Sequence, residues 1–131
     1  MSLDNLVKTK QLKEEPFDEN EFHGLIKSAK TRLKDANNAT LELESRFLLA
    51  YNAAHSIALA ALRRHGYRAN NRYIVFQALP HTLNTPPEIW RILAKCHGLR
   101  NAAEYEGALD INEQLVSELL SNTQTLLDSI G

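Results

Sequence analysis

From Leu41 to His65 the chain reads LELESRFLLAYNAAHSIALAALRRH, without a single glycine or proline. Ala, Leu, Arg and Glu dominate the stretch, and all four are good helix formers. At 1.5 Å per residue it makes a helix about 37 Å long, enough to cross a small domain from end to end. Apolar residues occupy most of its circumference. A helix that is apolar nearly all round has to be covered on several sides. This stretch is therefore the central rod, and the rest of the chain is its cover.

The flanking segments supply that cover. Residues 1–17 carry a short helix signal (Leu3, Leu6, Val7 and Leu12 among lysines) that ends at Glu14-Glu15-Pro16. Asp18 is a good N-cap, and Glu21 three residues on completes a capping-box pattern. Phe22, Leu25, Ile26, Ala29 and Leu33 then recur at helical spacing, which predicts an amphipathic helix over about 18–36. Asn37-Asn38 breaks it, and Asn38 or Thr40 can cap the central helix. Gly66 is a natural stop after His65.

YIVFQAL at 73–79 has the composition of a buried strand, but nothing else in the chain looks like a pairing partner. A short helix ending near Pro80 is the expectation there. Pro86-Pro87 opens a further helix with Ile89, Leu93, Cys96, Leu99 and Ala103 on its core face, closed by Gly107. Leu115, Val116, Leu119, Leu120, Thr123, Leu126, Leu127 and Ile130 form the last helical stripe, capped by Asp110 or Asn112. The expected fold is all-α: an up-and-down bundle of about five helices around one long central helix, as one domain over 1–131.

Charge and cysteine content narrow the function. The net charge is −1, so any nucleic-acid contact has to come from a local basic patch. A single cysteine, Cys96, excludes an internal disulfide and a multi-cysteine metal site. No charged and apolar leader pattern opens the chain. The most apolar run, Phe47–Leu62, is shorter than the ~20 residues a bilayer needs and contains Asn52, His55 and Ser56. The expectation is a cytoplasmic protein with no membrane partner.

No Gly-rich phosphate loop, HExxH, CxxC or GxSxG is present, and the five histidines show no metal-binding spacing on one helix. No cofactor and no metal are expected. The one concentrated basic run is Arg63-Arg64-His65-Gly66-Tyr67-Arg68, followed by Asn70-Asn71-Arg72-Tyr73. Arginines interleaved with tyrosines can hold phosphates and stack a base. Cations at a helix C-terminus also favour the macrodipole without any ligand, which is the simpler account of the run taken alone. Tyr51, Asn52, His55 and Ser56 interrupt the apolar rod. Such groups either satisfy one another or line a cleft.

The most informative stretch is His97–Gly107, HGLRNAAEYEG. Together with FLLAYNAAHSIALAALRRHGYR, it resembles the HEPN family, the small α-helical domains of prokaryotic defence and toxin–antitoxin systems. The likeness in helix order and size covers roughly residues 18–130. The family's mark is Arg, a polar residue, a few variable residues, then His. Arg100 matches the arginine and Asn101 its polar follower.

The resemblance implies a bundle that commonly dimerises, with this motif near the dimer cleft. In active members the motif supports metal-independent RNA cleavage, in which the ribose 2′-OH attacks the adjacent phosphate. The motif histidine is replaced here: Tyr105 stands where four intervening residues would put it. Ionising a tyrosine of pKa ~10 at pH 7 costs about 4 kcal/mol, and Glu104 and Glu106 beside it work against that. His97, about 60° from Arg100 around the helix, is the other residue able to stand in.

The resemblance thus implies a homodimeric binding module. The expected ligand is an RNA or nucleotide phosphate at Arg100 and Asn101, joined by Arg63, Arg64, Arg68 and Arg72 of the basic run, and by family analogy the expected partner is a nucleotidyltransferase-type protein. An active ribonuclease using Arg100 with Tyr105 or His97 is the alternative. A helical scaffold in which Arg100 simply pairs with Glu104 one turn away is the third.

Overall fold

Helices form in this chain where local caps permit and where the Leu41–His65 rod can be covered. The computed structural model describes residues 3–131. In chain order the elements are α1 (Leu3–Lys8), β1 (Leu12–Glu14), α2 (Glu19–Ala36), α3 (Leu43–Arg64) and β2 (Tyr67–Ala69). They are followed by α4 (Arg72–Gln77), α5 (Leu79–Thr82), α6 (Pro87–Glu106) and α7 (Glu113–Ile130). The fold is mostly helical, as expected, with α2, α3, α6 and α7 as its long members.

The rod is central for the reason its sequence implies. Phe47, Ala50, Tyr51, Ala53, Ala54, Ile57, Ala58, Ala60, Ala61 and Leu62 of α3 are all fully buried. Its alanines let α2 and α7 approach closely on one side, through Ala29, Leu33 and Ala36 of α2 and Leu119 and Leu126 of α7. The larger core side chains on the other elements, such as Phe76 and Leu93, each add roughly 1.5–3 kcal/mol on burial.

Local signals set most boundaries. The Asp18 carboxylate accepts from the Asn20 and Glu21 amides, the Asn71 side chain from Ile74, and the Asn112 side chain from Leu115. Gly107 ends α6 in the left-handed region at φ 75°, and its N–H donates to Ala103. Gly66 turns the chain after α3 at φ 86°.

Four expectations are corrected. The N-terminal helix stops at Lys8, where Lys10 takes a positive φ of 62° and redirects the backbone; residues 1 and 2 of that segment lie outside the described residues. Leu12–Glu14 becomes a strand and pairs antiparallel with Tyr67–Ala69, with Leu12 opposite Ala69. The α3 helix begins at Leu43 with Glu42 at its N-cap position and no side-chain cap, because the Asn38 carboxamide bonds Thr40 inside the preceding loop. Pro80 sits in the first turn of α5 rather than ending α4, a position where its missing N–H costs little.

Candidate functional site on α3, α4 and α6

His97 lies about three turns into α6, on the side that faces the α3 rod. Its Nδ1 is 2.9 Å from the Tyr51 hydroxyl of α3, and its Nε2 is 3.0 Å from the Asn101 amide one turn further along α6. A neutral imidazole has one donor and one acceptor nitrogen, which suits this pair of contacts. Burial, then the positive charges of Arg100 and Arg72, hold the His97 pKa below its ordinary value. The ring is therefore uncharged at neutral pH.

Two guanidiniums bracket the same tyrosine. The Arg72 carbon lies 5.8 Å from the Tyr51 ring centroid and the Arg100 carbon 5.6 Å from it. Both are within cation–π range. Arg72 donates to the Asn52 amide oxygen at 3.3 Å, while Arg100 bridges Glu104 at 2.9 Å. Burial pushes the Tyr51 phenol above its ordinary pKa, opposed by those two cations. Phe76 packs against Tyr51, His55 and His97, and half-exposed Tyr73 lies 6.2 Å from His97. A groove of about 370 Å³ opens beside the cluster, lined by Leu48, Asn52, Arg100, Ala103 and Leu109 together with the Glu44 and Glu104 carboxylates.

The sequence-predicted residues thus separate into groups. His97, Arg100, Asn101 and Arg72 come together. Tyr105 does not join them within one protomer: it follows Arg100 by five residues, well round the helix, and is 88% exposed.

The run Arg63–Arg72 is divided by the fold. Arg63 is 2% exposed, bonds Glu21 at 2.6 Å and reaches the Glu15, Pro16 and Tyr67 carbonyls. Arg68 is clamped at 2.6 Å by both Glu15 and Glu21. Glu21, expected to close a capping box, serves these arginines instead. Arg64 donates to the Ile130 carbonyl at the end of α7 and covers the Phe22 ring.

No family model, curated protein or solved structure matches this chain. The site has to be read from its own chemistry. Burial pushes the Cys96 thiol up to about 12, so it is no nucleophile at neutral pH. Among the described residues no group of three His, Cys, Asp or Glu side chains converges to hold a metal, and no helix is long and apolar enough to cross a membrane. What the cluster offers is two guanidiniums, two carboxamides and a neutral histidine beside an open groove. Such a set suits an anion with several oxygen acceptors.

Tyr51, Asn52 and His55 were visible in the sequence as polar interruptions of the rod. Nothing there connected them to His97, because the Tyr51–His97 contact spans 46 residues.

Proposed function

We propose that this protein is a HEPN-like, homodimeric binding module that holds an RNA or nucleotide phosphate at Arg100, Asn101 and Arg72, and works with a nucleotidyltransferase-type partner. The observation that carries the phosphate reading is the placement of Arg72 and Arg100 on one aromatic ring, beside His97 and Asn101, with Arg72 held by a neutral carboxamide. Cations held by neutral groups keep their charge available to an incoming anion. The dimer and the partner protein rest on the family resemblance alone.

A ribonuclease is the second reading, and the position of His97 favours it. A neutral imidazole three residues before Arg100 has the protonation state a general base needs. Both its nitrogens are engaged, however, so it would have to release Asn101 or Tyr51 before taking a proton. The scaffold reading draws on the Arg100–Glu104 bridge, which satisfies Arg100 without any ligand.

One experiment separates the three. Purified protein and its Arg100→Ala variant are titrated against labelled RNA at low and high salt, with the RNA checked for cleavage in the same samples. Salt-sensitive binding that weakens at least about tenfold in the variant, over intact RNA, is the expected result. Cleavage that disappears with Arg100 makes the protein an enzyme. No binding at all leaves the scaffold.

A further inference from the structure

From Phe47 onward, α3 is buried on nearly every side; apart from Leu49 and the terminal Arg64, only Leu48, Asn52, His55 and Leu59 stay at least partly exposed. Their spacing of four, three and four residues makes one continuous stripe along the rod. Arginines flank this stripe from both sides. Arg32 of α2 reaches over it from one side and donates to the Ser56 hydroxyl at 3.4 Å. Arg72 of α4 and Arg100 of α6 come from the other.

The partners of Arg32 and Arg72 are neutral, in contrast to Arg63 and Arg68, which lie between the Glu15 and Glu21 carboxylates. Of the three arginines along the stripe, Arg32 and Arg72 contact neutral groups, while Arg100 bridges Glu104 at 2.9 Å. The acidic groups at the stripe, Glu44 and Glu104, stand at its Arg100 end. All three stripe arginines act on the same imidazole, since Arg72, Arg100 and Arg32 each lower the His55 pKa after burial has done so.

Resting on the reading of Arg100 as a phosphate ligand, we propose that Arg32, Arg72 and Arg100 form one track for the backbone of single-stranded RNA, holding successive phosphates along the α3 stripe. Asn52 and Ser56, which hold Arg72 and Arg32, are one turn apart, about 6 Å along the helix axis. A cationic row of this kind follows a strand, whereas a single nucleotide meets only one end of it. Tyr73, exposed beside His97 at the rim, provides the face on which a base stacks. His55 stays neutral beneath the strand and adds no charge of its own.

The test is the salt dependence of binding to a labelled RNA of about a dozen nucleotides. Each phosphate neutralised on a single strand contributes about −0.7 to the slope of log K against log salt, so three give a slope of about −2. Arg32→Gln keeps a hydrogen-bonding group for Ser56 and removes the charge. It is expected to weaken binding and to reduce the slope by about 0.7, while Arg32→Lys retains the slope. Unchanged urea midpoints confirm that both variants are folded.

A wild-type slope in Arg32→Gln, with binding still lost in Arg100→Ala, overturns the track and leaves the Arg100 site standing. Unaltered binding in Arg100→Ala overturns both. A nucleoside triphosphate that displaces the RNA as well as an unlabelled strand does would also overturn the track, because the ligand would then be a nucleotide.

Discussion

His55 shows how one residue's surroundings become a property of the whole chain. Its ring packs edge-on against Phe76, 5.9 Å away, and its pKa is lowered to about 4 by burial first and by Arg72 next. An unfolded histidine takes its proton near 6.5. Between about pH 6.5 and pH 4 the unfolded chain therefore binds more protons than the folded one. Stability from this group is fully present above 6.5, falls as pH drops through that window and levels off below it. The total loss is about 3 kcal/mol for a shift of this size. Two measurements check it. The imidazole carbon-bound proton of His55 should titrate in NMR with a midpoint near 4, and His55→Gln should flatten most of the decline in urea midpoint between pH 6.5 and 4. A titration midpoint at the ordinary value would show that the ring is solvated after all. His97 shifts in the same direction and shares the window, which is why the variant is not expected to remove the whole decline.

At the level of elements, the joint between the β1–β2 ribbon and the α2–α3 pair depends on Arg63. Its buried guanidinium gathers Glu21 and the Glu15, Pro16 and Tyr67 carbonyls into one network. Arg63→Met leaves those acceptors without their donor and should cost about 3 kcal/mol, read as a lower urea midpoint. Amide exchange should rise most in Tyr67–Ala69, since that strand loses its anchor. Glu15 and Glu21 have lowered pKa values, caused first by the Arg68 hydrogen bond, so their contribution is present above pH 4.5 and disappears as pH falls below it. That window lies mostly beneath the one for His55. The same joint shows where sequence reading stops. Asp18, Asn112 and Gly107 were legible because a cap involves residues within a turn of one another. Glu21 matched the capping-box spacing equally well, yet two arginines more than forty residues away compete for it and win. Leu12–Glu14 and Tyr67–Ala69 are each three residues long, too short for an alternation pattern, and their pairing is set by contacts far apart in the chain. His97 could be placed on the Arg100 side of α6 from helical geometry. The Tyr51 hydroxyl that holds its ring could not.

Over the whole molecule, a net charge of −1 conceals a segregation of cations. One end pairs Arg63 and Arg68 with carboxylates, while the α3 stripe keeps arginines that are held mainly by neutral groups. The other asymmetry is apolar. Tyr105 is 88% exposed near the end of α6, and Leu41 and Leu48 are exposed near the start of α3. Leu48 shares a groove with Ala103 and Glu104, so the end of α6 and the start of α3 lie side by side. An aromatic side chain this exposed contributes almost nothing to the fold of one protomer, but it is the residue type that anchors interfaces. In the proposed homodimer Tyr105 is such an anchor, which gives its solvent exposure a role. Tyr105→Glu should therefore leave the urea midpoint within about 0.5 kcal/mol of the wild type, as substitutions at exposed positions usually do. In sedimentation the wild type should shift with concentration from the 14.8 kDa chain towards twice that mass, and the variant should remain a monomer. A wild type that sediments as a monomer at every concentration removes the dimer from the proposal, and the α3 stripe then has to bind RNA from one chain alone.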